Sequence, residues 1–141
     1  MVDSKTSRFS ADLNNLSKIR RFVESAAEIA AVNPDALDDL VLAVDEAATN
    51  IIVHGYQRNG GEIEITLRFV DDALTVKLRD DAPGFDPTLE ATPDLELPLD
   101  ERPFGGMGIY LIRKFSDQMI YTFTPEGGNE LVLSKNGVRK G

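Results

Sequence analysis

The chain has 141 residues, of which 42% are hydrophobic and 28% charged, values that suit a single globular domain with its own core. Its formal net charge of −9 argues against a nucleic-acid surface, because phosphate binding needs clustered Lys and Arg, and it fits a basic protein partner better. The absence of cysteine excludes disulfides, thiolate zinc sites and cysteine nucleophiles, and the single histidine excludes any site that needs two.

The N-terminal part of the chain predicts two helices. The residues before them either form a short edge strand or stay loose. From Leu13 to Ala30, apolar side chains recur at helical spacing. The segment 33–35 (Asn-Pro-Asp) ends this helix and begins the next, because proline fits the first turn of a helix. The second helix is predicted to run to about His54, with Gly55 as its C-terminal signal.

The second helix carries an apolar stripe and, on roughly the opposite side, two polar residues of interest. The residues expected to face the core are Leu37, Val41, Val44, Ala48 and Ile51. Glu46 and Asn50 are expected to point to roughly the opposite side, which Leu42 and Val53 also approach, so that side is expected to be partly covered rather than fully solvated. A carboxamide oxygen can ligate Mg²⁺, and a carboxylate one turn away can orient or deprotonate a hydroxyl group. By itself the pair is more typical of a solvated helix face.

The next segments predict a hairpin and a long loop. After a turn at 59–61, residues 63–69 and 74–78 alternate between apolar and polar side chains, which is typical of half-buried strands. Residues 82–104 lose all periodicity and hold five of the seven prolines. A loop of more than about 15 residues inside a compact domain is usually functional or disordered.

The C-terminal part predicts a third helix, at 107–116, and two last strands, at about 118–124 and 129–135. No signal peptide is visible in the polar first twenty residues, and no apolar run approaches the length of a membrane span, about 20 residues. We therefore expect a cytoplasmic protein that does not contact a membrane.

Two further motifs have both a chemical and a structural interpretation. Gly105, Gly106 and Gly108 open the third helix, where backbone N–H groups can approach an anion, but such glycines serve equally often in hinges and packing. Their spacing matches neither a Walker A loop nor a dinucleotide fingerprint. Asp80 can accept a hydrogen bond from an exocyclic amine in a buried pocket, or it is only a polar strand end, with Gly84 as a turn residue.

These blocks together resemble the GHKL ATP-binding fold of gyrase, heat-shock chaperone, histidine kinases and mismatch-repair ATPases. Residues 46–56 resemble the N box, and residues 101–117 the second glycine box, of anti-sigma-factor serine kinases of the RsbW and SpoIIAB type. The resemblance covers about residues 10–135. It implies a single domain over residues 1–141 with the Bergerat fold. That fold is an α+β two-layer sandwich in which helices cover one face of a mixed, mostly antiparallel sheet.

The resemblance also implies a role for the residues at each end of the nucleotide. Asn50 would hold Mg²⁺ against the triphosphate of ATP, and Glu46 would act as general base towards a seryl hydroxyl. Asp80 would read the adenine amino group, and Gly84 would shape the adenine pocket.

The remaining implied contacts concern the phosphates. Gly105, Gly106 and Gly108 would contact them at the mouth of the third helix. Residues 85–104 would form the ATP lid, with Arg102 as a candidate for balancing phosphate charge. His54 and Tyr56 belong to the motif without a firm chemical role, and a structural His54 that caps its helix is at least as good an interpretation.

One position departs from the family pattern. The first glycine box is usually D-x-G-x-G, and here Ala82 stands at its first glycine, followed by Pro83. If this position needs a positive φ, alanine costs roughly 1 kcal/mol, and nucleotide binding could be weakened.

The resemblance favours an ATP-dependent serine kinase that acts as an anti-sigma factor and partner switch. It would bind a sigma factor in one state and phosphorylate an anti-sigma-factor antagonist on serine in another. The alternative is a non-catalytic nucleotide-binding module that sequesters a regulatory partner. The ATPase half of a sensor histidine kinase fits less well, since no phosphoacceptor helix with its own histidine is present. A homodimer is also implied, and Lys18, Arg20 and Arg21 are a candidate partner contact.

Overall fold

The computed structural model describes residues 3–29, 32–57, 59–70, 72–82, 112, 114, 116–123 and 128–137. In chain order these residues form strand β1 (Asp3–Ser10), helix α1 (Leu16–Ile29), helix α2 (Pro34–Asn50) and strands β2 (Glu62–Val70), β3 (Ala73–Asp80), β4 (Gln118–Phe123) and β5 (Asn129–Asn136). A 3₁₀ turn, Leu13–Asn15, precedes α1, and a π-helical turn, Ile51–Gly55, continues α2.

The strands form one five-stranded sheet in the order β1-β2-β3-β5-β4. Every pairing in it is antiparallel. The first residues therefore adopt the edge strand, the first of the two conformations expected for them. The predicted strands at 63–69, 74–78, 118–124 and 129–135 are all present within a residue or two of their expected ends. The α+β architecture inferred from the sequence is confirmed.

The core lies between one face of the sheet and the two helices. Inward positions alternate along β2 and β3, and the side chains of Ile63, Ile65 and Leu78 are fully buried there. Helix α1 contributes Ile19 and α2 contributes Leu40 to the same apolar cluster. Each such side chain contributes roughly 1.5–3 kcal/mol by leaving water, which holds the helices on this face.

The other face of the sheet is polar. Thr6 and Thr66 share a hydrogen bond of 3.0 Å across β1 and β2. Arg8 pairs with Glu64 at 3.1 Å on the same two strands. Because this face is solvated, the two-layer arrangement needs no further element to cover it. None of the helices in the described residues has the length and apolar character that crossing a membrane requires.

Helix α2 begins where the sequence predicts and ends differently. Asn33 caps it, accepting a hydrogen bond of 2.9 Å from the backbone N–H of Asp35, with Pro34 in the first turn. Regular α-helical geometry stops at Asn50. The chain then widens into the π-helical turn, in which the backbone N–H of Tyr56 bonds to the carbonyl of Ile51, five residues earlier, at 2.8 Å. The helix predicted to reach His54 is therefore continuous but changes its pitch at its last turn.

The buried face of α2 is wider than the predicted stripe, and the side of Asn50, which was expected to be partly covered, is buried at this residue. Asn50 is only 7% exposed. It follows Ala43 and Ala47, both buried, at steps of four and three residues, so the three share one face of the helix. The small alanines leave room beside the helix, and that room becomes the pocket described below.

Of the predicted third helix, the structure describes Ile112, Lys114 and Ser116. Ile112 and Lys114 are helical, and the hydroxyl of Ser116 donates to the carbonyl of Ile112. Ile112 is completely buried in the common core. The rest of that prediction, and the loop from residue 83 to 104, lie outside the described residues.

Candidate functional site

An apolar pocket with a few polar groups lies between the end of α2 and the ends of β3 and β5. Its walls are formed by Ala47, Asn50, Ile51, Gly55, Asp80, Ala82, Ile112, Tyr121, Asn129 and Leu131. Two of the predicted site residues, Asn50 and Asp80, are therefore brought to one cavity from segments thirty residues apart in the chain. A concave apolar site with few polar groups is the usual form of a small-molecule site.

Asp80 is the buried carboxylate of this pocket. It is 6% exposed at the last residue of β3. Its Oδ1 accepts one hydrogen bond from the backbone N–H of Ala82 and one from Nδ2 of Asn129, each 2.9 Å long. Both donors bind Oδ1, so within the described residues Oδ2 has no hydrogen-bond partner. Burial raises the pKa of Asp80, and the bond from Asn129 opposes that rise.

Asn129 and Tyr121 line this candidate site and are residues that the sequence interpretation missed. Asn129 is 4% exposed and lies directly opposite Asp80 in the β3–β5 pairing. Its side chain accepts a hydrogen bond from the hydroxyl of Tyr121 and donates to the carbonyl of Ala82 at 3.0 Å. The sequence did hold a signal for Asn129, which is a polar residue at an inward position of β5. The next two inward residues of that strand, Leu131 and Leu133, are apolar.

Asn50 supplies the polar group on the α2 side of the pocket. Its amide nitrogen is buried and has no hydrogen-bond partner among the described residues. Leaving such a group unpaired costs about 1–3 kcal/mol, so a partner from a bound ligand would recover free energy. A half-turn of the amide places the oxygen there instead, so the same position can present an acceptor to a cation or a donor to a phosphate.

Glu46 lies one helical turn before Asn50 and outside the pocket lining. It is half-buried. Burial raises its pKa, and the neighbouring carboxylate of Asp45 adds to the rise. Asp45 itself is bound to Arg20 of α1 at 2.6 Å. A carboxylate with a raised pKa binds a proton more readily, which suits a general base.

Ala82, the departure from the first glycine box, fits the site without backbone strain. In the described residues the only non-glycine residue with a positive φ is Gln57, so Ala82 is not left-handed and the condition under which alanine would be costly here does not arise. A Cβ placed on Gly55 would lie 3.1 Å from the Cβ of Ala82. The absent side chain of Gly55 therefore provides the space in which the methyl group of Ala82 lines the pocket.

Tyr56 has a structural role at the pocket's rim. Its hydroxyl donates to the carbonyl of Glu62 at 2.7 Å and accepts from the backbone N–H of Asp81 at 2.8 Å. It thus joins the end of the π-helical turn to the start of β2 and the end of β3. A Cβ on Gly61 would lie 2.3 Å from the ring of Tyr56, which explains the glycine at that position.

The remaining predicted residues are not all at the pocket. Five of the predicted site residues and the predicted lid at 85–104 lie outside the described residues. The five are Gly84, Arg102, Gly105, Gly106 and Gly108. Within the described part of the chain, no group of three or more His, Asp or Glu side chains is placed to hold a metal ion.

The candidate partner contact on α1 lies away from the pocket and is partly engaged within the chain. Lys18 and Arg21 are exposed. Arg20 is half-buried and bound to Asp45 of α2. Arg20 therefore contributes to the packing of the two helices, and the exposed cations of this contact are Lys18 and Arg21.

Comparison with known proteins agrees with this geometry. The model of the histidine kinase-like ATPase domain matches residues 9–135. The anti-sigma F factor of Clostridium acetobutylicum is 29% identical over 96% of this chain and 95% of its own length. The anti-sigma F factor of Bacillus subtilis is 33% identical over 91% of this chain and 88% of its own length. The serine-protein kinase RsbW of Bacillus mycoides is 33% identical over 60% of this chain and 56% of its own length.

A solved structure shares the fold. The crystal structure of the RsbU and RsbW domains of Rv1364c from Mycobacterium tuberculosis superposes with a TM-score of 0.68 over 98% of this chain. The sequence identity is 14%, and this chain spans 33% of that longer protein.

Proposed function

Because the chain belongs to the histidine kinase-like ATPase domain family, we propose that it is an ATP-dependent serine-protein kinase that works as a partner switch. In one state it binds a sigma factor, and in another it phosphorylates an anti-sigma-factor antagonist on serine. Relatives named anti-sigma F factor and serine-protein kinase RsbW support both halves of the proposal.

The observation that carries the proposal is the pairing of Asp80 and Asn50 in one pocket. Asp80 offers a carboxylate oxygen that no described residue pairs with at the sheet side, which suits the exocyclic amine of adenine. Asn50 offers a buried amide nitrogen without a partner among the described residues at the helix side, which suits the phosphate end of the nucleotide. The apolar residues between them, including Ala82 and Ile51, suit the faces of a purine ring.

Asn50 also fits magnesium, since carboxamide oxygens are hard donors and magnesium in proteins is commonly shared between one or two side chains and substrate phosphates. When bound with ATP, the ion neutralises negative charge on the phosphates. The order Glu46, Asn50 on one helix then places the candidate base one turn from the candidate metal ligand. Our proposed phosphate contacts remain Gly105, Gly106, Gly108 and Arg102. Gly84 remains a proposed residue of the adenine pocket.

The proposed reaction transfers the γ-phosphoryl group of ATP to a seryl oxygen of the antagonist. The oxygen attacks phosphorus, the bond to the β-phosphate oxygen breaks, and ADP leaves. Glu46 accepts the hydroxyl proton, which its raised pKa favours. The phosphoserine formed adds about −1.5 to −2 of charge, and with a chain of net charge −9 this opposes rebinding of the product.

The second candidate is a nucleotide-binding module that sequesters a partner without catalysis. The observation that favours it is the position of Glu46, which is half-buried and outside the lining of the pocket. Under this alternative ATP and the partner bind, and no phosphate is transferred.

Glu46→Gln separates the two candidates, with Glu24→Gln, an exposed residue of α1, as a matched loss of charge. We expect Glu46→Gln to lower transfer of labelled γ-phosphate to an antagonist protein of the host genome by about a hundredfold or more. We expect Glu24→Gln to leave the rate unchanged, and ATP affinity to be similar in all three proteins. The assay measures phosphoserine on the antagonist by autoradiography.

An equal rate in Glu46→Gln and the unmodified chain would remove Glu46 from the mechanism. If the unmodified chain binds ATP and the antagonist yet transfers no label, the sequestering module is the correct function.

A further inference from the structure

The hydrogen bonds around Asn129 go beyond what a strand residue needs for packing. Asn129 faces Asp80 across the β3–β5 pairing, and both side chains are more than nine-tenths buried. The proposed reaction assigns no role to Asn129. The next two inward residues of the strand, Leu131 and Leu133, show that an apolar side chain is the rule along this line of β5.

The amide of Asn129 has only one acceptable orientation. Its nitrogen donates to Oδ1 of Asp80 at 2.9 Å and to the carbonyl of Ala82 at 3.0 Å, and its oxygen accepts from the hydroxyl of Tyr121. Turning the amide over would set its oxygen against two other acceptor oxygens. The hydrogen bonds to Oδ1 of Asp80 and to the carbonyl of Ala82 would both be lost, which is costly in a buried site, whereas the hydroxyl of Tyr121 would still pair by accepting from the nitrogen.

This fixed amide in turn fixes the carboxylate of Asp80. Oδ1 is held by two donors, the nitrogen of Asn129 and the backbone N–H of Ala82. Rotation of the carboxylate about its Cβ–Cγ bond would break both hydrogen bonds. Oδ2 is therefore held in one position, as an acceptor that no described residue uses, on a residue that lines the pocket.

We propose that Asn129, oriented by Tyr121, is a positioning residue that gives the pocket its preference for purine nucleotides with an exocyclic amine, because it holds Asp80 in place to accept from that amine. The inference rests on the nucleotide-binding part of the proposed function. It assigns base selection to a chain of three side chains on β3, β5 and β4. Asn129 touches the carboxylate and acts through it.

The test compares ATP with purine riboside 5′-triphosphate, which has the same sugar and phosphates and lacks the 6-amino group. The measured quantity is the ratio of the two dissociation constants, obtained by calorimetry in the presence of Mg²⁺. In the unmodified chain we expect ATP to be preferred by about tenfold, the value of one hydrogen bond to a buried charge.

The variants are Asn129→Ala and Tyr121→Phe, with Asn136→Ala as the matched control on the same strand. Asn136 is exposed at the far end of β5. We expect the preference for ATP to fall to about twofold in Asn129→Ala and to an intermediate value in Tyr121→Phe, and to persist in Asn136→Ala.

If Asn129 had a purely structural role, Asn129→Ala would weaken the binding of both nucleotides by the same factor. An unchanged ratio of the two dissociation constants in this variant would therefore overturn the inference. If Asn129→Ala does not fold, as judged by its thermal transition without nucleotide, Tyr121→Phe decides, because it removes one hydroxyl and keeps the ring. Failure of the unmodified chain to bind either triphosphate would overturn the proposed function itself, which is a different result from binding both without preference.

Discussion

At the scale of single residues, the pocket has polar atoms that lack hydrogen-bond partners among the described residues. Asp80 has one oxygen with two partners, and Asn50 has a nitrogen with none among the described residues. The nitrogen of Asn50 is buried away from water, so only a ligand can supply its missing partner, and the second oxygen of Asp80, Oδ2, has no partner among the described residues. An unfilled hydrogen-bonding capacity of this kind favours a ligand that brings both a donor and a charged group.

The raised pKa of Asp80 predicts a pH dependence for nucleotide affinity. An amine donor binds the ionised carboxylate, so protonation of Asp80 competes with ATP. We expect ATP affinity to weaken as the pH falls from about 7 to about 4, where ordinary carboxyl groups titrate. The weakening should begin at a higher pH than it would for an ordinary aspartate. Calorimetric titrations across this range measure the effect.

The raised pKa of Asp80 makes the stability of the free chain depend on pH in the opposite direction to ATP affinity. The folded state binds the proton of Asp80 more tightly than the unfolded state does, so this group lowers the free energy of unfolding as the pH rises through its raised pKa.

Asp80→Asn removes the titration and should leave a flatter pH profile of ATP affinity. A profile identical to that of the unmodified chain would show that another group controls binding.

At the scale of elements, α2 carries both the core and the site on neighbouring faces. Leu40 and Val44 pack into the core, whereas Ala47 and Asn50 line the pocket. The π-helical turn that follows bonds an N–H to the carbonyl five residues earlier instead of four, and its Gly55 lies against Ala82, just beyond the end of β3. The position of the pocket therefore depends on how firmly this helix is packed.

Truncating Leu40 tests how firmly α2 is packed, with Leu42 as the matched control two residues away. Leu40 is completely buried, while Leu42 is 37% exposed. We expect Leu40→Ala to lower the free energy of unfolding by about 2–5 kcal/mol, since it leaves a cavity, and Leu42→Ala to lower it by well under half as much. Urea denaturation followed by circular dichroism measures both. Equal losses would mean that the two faces of α2 are packed alike.

At the scale of the whole molecule, the pocket joins parts of the chain that are distant in sequence. Asn50 ends α2, Asp80 ends β3, and Asn129 begins β5. A nucleotide that binds them binds only the folded chain, since the unfolded chain does not bring these residues together. Ligand binding should therefore stabilise the entire fold by mass action.

Mg²⁺-ATP should raise the free energy of unfolding by about 2.7 kcal/mol at a concentration one hundred times its dissociation constant. We expect removal of Mg²⁺ with EDTA, or the variant Asn50→Ala, to reduce this gain. Asn14→Ala, at an exposed position before α1, should leave it intact. Thermal unfolding with and without nucleotide gives the shift.

The stability of free Asn50→Ala serves as the internal control for that experiment. Because the nitrogen of Asn50 is buried without a described partner, its removal should cost the free chain little. A large loss of stability in the absence of nucleotide would show that Asn50 is a structural residue, and would contradict its role as a ligand.

Much of this protein follows from local sequence, because helix and strand periodicities depend only on neighbouring residues. The alternation in 63–69 and 74–78 determined the central hairpin, and Asn33 with Pro34 determined the start of α2. The motif residues Asn50 and Asp80 were recognisable from their order and spacing. The family was recognisable for the same reason.

The tertiary structure decided what depends on residues distant in sequence. It buried Asn50, made room for Ala82 opposite Gly55, and brought Asn129 and Tyr121 to Asp80 across a sheet pairing that spans 49 positions. No local pattern encodes such contacts, because they arise only when separate strands and helices pack together. The sequence by itself determined which elements form and which family they belong to, whereas packing determined which polar atoms are left to meet a ligand.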